Sequence, residues 1–239
     1  MAKPRYLTKS RYKLACECPT KLYYTGKSEY ADQTIQDSFL EALAEGGMQI
    51  GELAKFYFPD GSFIETLDYD KAEAQTRDLL KNEKVVIYEA AIRFENLFIR
   101  ADIVVKNGKS LQLIEVKAKS FDGEDDSFIT KKGGISSKWE PYLQDIAFQT
   151  LVFQNAYPDF KIEPFLFLVD KSAVCPTDGL NQKFLLERGP DGRARVQVRG
   201  KLSKSDLSNS IMTLQPVSDI ISSLLTNVNF TGILPKNCI

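Results

Sequence analysis

The 239-residue sequence contains no histidine. This absence excludes a serine–histidine–aspartate triad, a cysteine–histidine pair and a histidine general base. It excludes histidine as a metal ligand as well. Any metal ion would therefore be held mainly by oxygen atoms, which are the ligands that Mg²⁺ and Mn²⁺ prefer.

Cysteine is scarce, and long apolar runs are missing. The four cysteines, at positions 16, 18, 175 and 238, form neither a disulfide framework nor the paired C-x-x-C spacings of a zinc site. No apolar run approaches the roughly 20 residues that a bilayer span needs. The basic segment 1–10 has no hydrophobic stretch behind it, so no signal peptide is indicated. We expect a cytoplasmic protein without a membrane partner.

The net charge of −1 gives no sign of a nucleic-acid binder, but the charges are unevenly distributed. Residues 1–27 carry seven lysines and arginines against the single acid Glu17. Residues 183–204 carry seven against Glu187 and Asp191. Two such basic segments could flank a polyanion. Ordinary solvated surface is the alternative for either segment alone.

Residues 1–83 have helical patterning, with apolar side chains recurring every three or four positions. Cys18-Pro19 and Gly46-Gly47 interrupt this pattern. We predict helices over residues 8–16, 34–58 and 69–82, the second of them divided at the glycine pair.

Residues 84–170 are rich in β-branched and aromatic side chains, which favours strands. A hairpin signal at Asn107-Gly108 indicates an antiparallel meander of three strands. The polar stretch 119–138 is interpreted as a long mobile loop. A helix then leads to a fourth strand beside the third. The predicted strands are 85–94, 97–105, 111–118 and 164–169, and the predicted crossover helix is 139–156.

Residues 171–239 are predicted to add a peripheral hairpin, 184–186 with 196–198, and a final helix over 217–225. The whole chain, 1–239, is thus predicted to be a single α/β domain. Its central mixed β-sheet would be flanked by helices, with a helical N-terminal part.

Charged residues interrupt the predicted strands in a way that suggests a metal site. Side chains alternate along a strand, so Glu115 and Lys117 point to one face. Asp102 lies thirteen residues earlier in an otherwise apolar strand, and Glu89 thirteen before that. Buried charge is costly unless it is paired or metal-bound. We expect Asp102 and Glu115 to bind Mg²⁺ or Mn²⁺ together with the Val116 carbonyl, and Glu89 to complete the site or to help hold a second ion. Lys117 would orient the attacking water or stabilise phosphate charge.

An E-x-K triplet is by itself a weak signal, because about one is expected by chance in a chain of this length. Residues 158–161 carry similar letters in a predicted turn, where no strand would fix the side chains. Exposed charges on an edge strand are the alternative for residues 115–117. A kinase interpretation fails, since no Gly-rich loop precedes the segment and a histidine-containing catalytic loop is impossible.

The sequence resembles the RecB-like branch of the PD-(D/E)XK nuclease superfamily over about residues 5–157. It is similar to CRISPR-adaptation exonucleases and to domains of bacterial proteins of unassigned function. The resemblance rests on Glu89, residues 100–102, residues 115–117 and Gln149. It implies a restriction-endonuclease-like sheet, a Mg²⁺ or Mn²⁺ site and DNA as the usual substrate. In the helical Q-x-x-x-Y motif, Gln149 would contact the nucleophilic water or the lysine; a plain helix-surface glutamine is the alternative.

Three departures from the family pattern stand out. Ala101 replaces the proline that many members have, and the upstream histidine is missing. Iron–sulfur members need one N-terminal cysteine and three clustered near the C-terminus. A complete cluster is therefore not expected within this chain, although Cys18, Cys175 and Cys238 remain open as partial ligands. The ending after Cys238 suggests a fragment of a longer protein with a downstream domain.

The sequence thus predicts a metal-dependent nuclease acting on DNA with single-stranded character. Phe121, Phe128 and Trp139 could stack on unpaired bases or pack in the core. The alternative function is a non-cleaving nucleic-acid-binding or assembly module, in which Lys117 would be salt-bridged into a closed site. A small-molecule phosphatase would need a closed pocket instead of an open groove.

Overall fold

A computed structural model of the chain describes residues 5–30, 38–189, 194–207 and 211–226. A short strand, β1 (Leu7–Thr8), leads directly into helix α1 (Lys9–Glu17). Thr8 caps this helix, because its hydroxyl accepts a hydrogen bond from the Arg11 amide. Cys18 is extended and ends α1 as predicted, and the sequence analysis missed the next helix, α2 (Pro19–Tyr24).

Helix α3 (Ser38–Lys55) runs without a break through Gly46 and Gly47, so the predicted division there is wrong. Each glycine in a helix interior costs about 0.5–1 kcal/mol. Tertiary contacts outweigh this cost, since Leu53 and Ala54 are buried against the sheet. The predicted start of this helix, residues 34–37, lies outside the described residues. Strand β2 (Ser62–Phe63) and helix α4 (Tyr69–Leu79) follow.

The predicted meander is confirmed, and its strands are longer than predicted. Strands β3 (Lys84–Phe94), β4 (Leu97–Asn107) and β5 (Ser110–Phe121) pair antiparallel in sequence. Helix α5 (Glu140–Ala156) then crosses to β6 (Lys161–Asp170), which pairs parallel with β5. This crossover was predicted, and it makes the sheet mixed.

The C-terminal part adds one further strand to the sheet and a hairpin that forms a separate two-stranded sheet. A short 3-10 helix (Leu180–Lys183) precedes the hairpin of β7 (Phe184–Arg188) and β8 (Ala194–Val198). After α6 (Lys204–Leu207), the unpredicted strand β9 (Met212–Pro216) pairs antiparallel with β6, and α7 (Ser218–Thr226) ends the described chain. The sheet order is β2-β3-β4-β5-β6-β9, with β1 parallel to β4.

Helices cover both faces of the sheet, as the predicted α/β class with a central mixed sheet requires. The larger core cluster packs α1, α4, α5 and α7 against the strands, and Leu113 and Phe148 are among its fully buried members. The smaller cluster packs α3 and the hairpin against the opposite face through Ile114 and Phe167. In the described ranges, no helix is both long enough and apolar enough to cross a membrane.

The stretch 119–138 is not a free loop. Its first residues extend β5 to Phe121, and Ile129 and Ile135 form a β-bridge. Phe121, Phe128 and Trp139 are at most 9% exposed and contact one another at ring-centroid distances of 5.2–5.6 Å. These three rings therefore belong to the core and are not available to stack on bases.

Candidate active site

The β4 and β5 backbones separate at the position where the sequence places its acids. Their pairing ends at Ile103 with Ile114, and one step further in the same register Asp102 faces Glu115. The Val116 amide donates a hydrogen bond to Asp102 Oδ2 at 2.8 Å, so a side chain replaces the missing backbone partner. The pairing of β3 with β4 continues the row, because the residues beside Glu89 pair with those beside Asp102. The thirteen-residue spacing thus corresponds to one row across three strands.

Strand β1 occupies the gap that β5 leaves beside β4. Leu7 pairs with Leu97, and Thr8 with Phe98, in parallel register. Since β3 already pairs with the other edge of β4, β1 must lie on the edge that β5 vacates. Lys9, the first residue of α1, is thereby brought to the opening between β4 and β5.

Lys9 places its ammonium group between the two carboxylates of this opening. Lys9 Nζ lies 3.4 Å from Asp102 Oδ1. It lies 3.0 Å and 3.1 Å from the two oxygens of Glu115. The Glu115 side chain is 1% exposed, so this ion pair is largely shielded from water.

Helix α5 supplies the other partners of the β5 charges. Lys117 Nζ donates to Glu115 Oε1 and, at 2.9 Å, to Asp145 Oδ2. Gln149 Nε2 donates to Glu115 Oε2 at 2.8 Å and to Asp145 Oδ1 at 3.2 Å. Asp145 and Gln149 lie one helical turn apart on the face of α5 that meets the sheet. We call these six residues the carboxylate–lysine cluster: Lys9, Asp102, Glu115, Lys117, Asp145 and Gln149.

The cluster perturbs the pKa of each of its ionisable members. Burial, together with the negative charge of Glu115, raises the pKa of Asp102 to about 7. Burial opposes ionisation of Glu115 too, but the ammonium groups of Lys9 and Lys117 outweigh it and lower its pKa. Burial would lower the pKa of each lysine, yet the surrounding carboxylates raise both. Burial and Glu115 raise the pKa of Asp145.

Glu89 lies in the same row but is held differently. Its side chain is 40% exposed, and Glu89 Oε2 lies 3.5 Å from Arg100 Nε. Its φ of +56° is left-handed in the interior of a strand, which costs a non-glycine residue about 1–3 kcal/mol. Such strain often occurs at functional sites. Arg100 is itself fixed by the carbonyls of Ile64 and Thr66.

The acids and lysines of the opening form the floor of a cleft of about 1090 Å³. One wall is α3, which presents Gly47 and Gly51 to the cleft. A Cβ atom at either glycine would have no neighbouring atom within 4 Å, so the helix backbone is open to the cleft there. The hairpin contributes Arg195 to the lining. The hairpin that the sequence suggested to be peripheral therefore borders the cleft. Each of the two basic segments provides one cation of the lining, Lys9 from residues 1–27 and Arg195 from residues 183–204.

The structure brings together four of the predicted site residues: Asp102, Glu115, Lys117 and Gln149. Val116 lines the same cleft, and Glu89 lines it without joining the cluster. Gln149 contacts the carboxylates, and no hydrogen bond from it to Lys117 is present among the described side chains. The sequence analysis missed two members of the cluster. Asp145 had a signal, since it lies four residues before Gln149, whereas nothing in the sequence distinguished Lys9.

The donor set suits a hard divalent cation, with one complication. Two carboxylates and the Val116 carbonyl offer the oxygen ligands that Mg²⁺ and Mn²⁺ prefer. A cationic group, Lys9 Nζ, already lies within 3.4 Å of both carboxylates, so the position stabilises positive charge. However, no group of three or more acidic, cysteine or histidine side chains in the described ranges is arranged to hold a metal ion. The oxygens present are thus two side-chain carboxylates and a backbone carbonyl, and because Lys9 Nζ lies between the two carboxylates, they fit a divalent ion only if Lys9 leaves.

The three cysteines that the structure describes show no comparable grouping. Cys16, Cys18 and Cys175 are free thiols, and Cys175 is exposed. Cys238 lies outside the described residues. The hypothesis of partial iron–sulfur ligands stays without a structural test.

Comparison with models of known protein families and with curated proteins gave no match for this chain.

Proposed function

We propose that this chain is a metal-dependent nuclease with a restriction-endonuclease-like fold that hydrolyses phosphodiester bonds in DNA. The observation that carries the proposal is the pair Asp102 and Glu115 at the opening between two strands, with Lys117 beside them on the cleft floor. This is the set of residue types that metal-assisted phosphodiester hydrolysis uses. The resemblance of the sequence motifs favours a substrate with single-stranded character.

Asp102 and Glu115 would hold Mg²⁺ or Mn²⁺, helped by the Val116 carbonyl and by Glu89. A divalent ion supplies Lewis-acid activation of water and of the phosphoryl group when it is bound. Gln149 fixes the Glu115 carboxylate through the bond to Oε2. Glu115 and Asp145 keep Lys117 protonated and Asp145 holds its position, so its ammonium can stabilise the charge that develops on the phosphate.

The charges of the cleft support metal dependence. The lining has five acids and four basic side chains, which leaves one net negative charge when all of them are ionised. A phosphate backbone would be repelled by such a surface. A divalent cation on the floor cancels this negative charge even when Lys9 withdraws from the cleft, so substrate and cation would favour each other's binding.

The proposal is tested by incubating the protein with labelled single- and double-stranded DNA in Mg²⁺ or Mn²⁺ and in EDTA. We expect cleavage that needs the metal. Lys117→Ala should lower its rate by about 10²–10³-fold, because a fixed cation at the developing charge is lost. The product ladder would distinguish exonuclease from endonuclease action and give the polarity.

Lys161→Ala is the matched control. Lys161 ends the similar-looking residues 158–161, but its side chain is 77% exposed and pairs only with Glu163 among the described residues. Cleavage should be unchanged in this variant. Equal activity of the wild type and Lys117→Ala would trace any cleavage to a contaminant and would refute the proposal.

A non-cleaving nucleic-acid-binding module is the second candidate, and one observation favours it. The ammonium groups of Lys9 and Lys117 already neutralise the buried acids, as in a closed site. Such a module would bind DNA equally well in EDTA and in Mn²⁺, and it would leave the DNA intact. Binding that requires Mn²⁺ would exclude it.

A further inference from the structure

Lys9 occupies an electrostatically unusual position. It is the first residue of α1, where the partial positive charge of the helix end disfavours a cation. Its described ion-pair partners are Asp102 and Glu115, which are also the two acids that would hold the metal ion. The carboxylates are therefore the interactions that hold the ammonium at this place.

Lys117 differs from Lys9 in this respect. Asp145 binds Lys117 at 2.9 Å and would retain it if Glu115 turned to another cation. Among the described residues, no third carboxylate lies within ion-pair distance of Lys9, whose side chain lines the cleft. Of the two lysines, Lys9 is the one that can withdraw.

We propose that Lys9 is the resident counter-ion of Asp102 and Glu115 and competes directly with a divalent cation for these two carboxylates. The inference rests on the cation site of the proposed function. An ammonium 3.0–3.4 Å from both carboxylates leaves no room for a metal ion bound to the same oxygens. Metal binding must therefore displace Lys9, and the cost of displacement weakens the apparent metal affinity.

The experiment measures Mn²⁺ binding to the full chain by calorimetry and by the loss of the free-ion electron paramagnetic resonance signal. Lys9→Met keeps the length and removes the charge, and Lys9→Arg keeps the charge. Lys55→Met is the matched control, since Lys55 lines the same cleft with a similar exposed fraction, 26%, but pairs with Glu52. Melting temperatures in EDTA and in Mn²⁺ give a second readout.

We expect Lys9→Met to bind Mn²⁺ at least about tenfold more tightly than the wild type, because a competing charge is gone. Lys9→Arg and Lys55→Met should stay within about threefold of the wild type. In EDTA, Lys9→Met should melt at a lower temperature, since its two carboxylates repel each other, and Mn²⁺ should raise its melting temperature more than that of the wild type. Folding of Lys9→Met only in Mn²⁺ would support the inference equally, because the ion would then replace the ammonium.

Unchanged or weaker Mn²⁺ binding by Lys9→Met would overturn the inference, as would absence of binding by both proteins. The outcome is separable from that of the nuclease proposal. Tighter binding by Lys9→Met without DNA cleavage by either protein would sustain the competition and refute the nuclease. Cleavage by both proteins with equal Mn²⁺ affinities would sustain the nuclease and refute the competition.

Discussion

The β5 side and the β3 side of the cleft carry the same kind of residue in different settings. Glu115 is 1% exposed and accepts hydrogen bonds from Lys9, Lys117 and Gln149. Glu89 is 40% exposed, and its described ion-pair partner, Arg100, lies 3.5 Å away. Glu89, Asp102 and Glu115 lie in one row across the sheet, yet the carboxylate–lysine cluster includes only Asp102 and Glu115. The position of an acid in the row therefore does not decide how many hydrogen bonds and ion pairs it makes in the site. Its burial and the donors supplied by α1 and α5 decide this.

The largest expected effect follows from neutralising the buried acid. Glu115→Gln would leave the ammonium groups of Lys9 and Lys117 without their shared partner. We expect the free energy of unfolding in EDTA to fall by about 2 kcal/mol or more, because breaking a buried ion pair leaves uncompensated charge. Cleavage should fall by about 10³-fold. Chemical denaturation and single-turnover cleavage assays measure the two effects.

Glu163→Gln is the control for this substitution, because Glu163 lies on the neighbouring strand β6 and pairs with the exposed Lys161. Little change is expected there in either assay. Full stability of Glu115→Gln would show that the carboxylate–lysine cluster contributes no net stabilisation. Glu115 and Glu89 would then differ only in their exposed fractions.

The second effect concerns Asp145, which we infer to be a positioning residue for Lys117. Asp145→Asn keeps the shape but removes the charge that faces Lys117 Nζ at 2.9 Å. We expect cleavage to fall by about 10–100-fold, as is typical when a residue that orients a catalytic group is lost. The exposed Glu140 of the same helix provides the control variant Glu140→Gln, which should cleave normally.

The pH profile separates positioning from a merely structural role. Burial lowers the pKa of Lys117, but Glu115 and Asp145 raise it above its ordinary value. Without the Asp145 charge the pKa must fall, so the lysine loses its proton at a lower pH. The alkaline limb of the cleavage profile of Asp145→Asn should therefore move to lower pH. An alkaline limb at the wild-type position would show that Asp145 does not act through Lys117.

Much of the β5 side could be predicted from the sequence, because strand alternation and the thirteen-residue spacings are local signals. Asp102, Glu115 and Lys117 were identified this way, and the crossover helix placed Gln149 near them. The resemblance to a nuclease family added Gln149 to the site, and the structure gives it a different partner, Glu115. Local periodicity is informative where the strands are long and their connections short.

Neither the place of Lys9 in the site nor the unbroken course of α3 could be predicted from the sequence, for related reasons. Lys9 is 106 residues from Glu115, and its place depends on β1 filling the gap beside β4, a pairing of two residues with no recognisable pattern. Helix α3 continues through Gly46 and Gly47 because of contacts with the sheet and with β7, where Gln49 donates to the Phe184 carbonyl at 2.7 Å. Tertiary contacts decided both features, and they outweighed local propensity.

The smallest effect is expected on the β3 side and bears directly on the predicted metal ligand there. Glu89→Gln keeps the side-chain size and removes the charge of a side chain that is 40% exposed and only loosely paired, so the free energy of unfolding should change by about 0.5 kcal/mol or less. Cleavage should fall less than about tenfold if Glu89 only helps to complete the cation site. A loss as large as that of Glu115→Gln, with weaker Mn²⁺ binding, would make Glu89 a full metal ligand. The left-handed backbone of Glu89 would then be explained by the need to aim its carboxylate at the ion, and the two sides of the cleft would form one site.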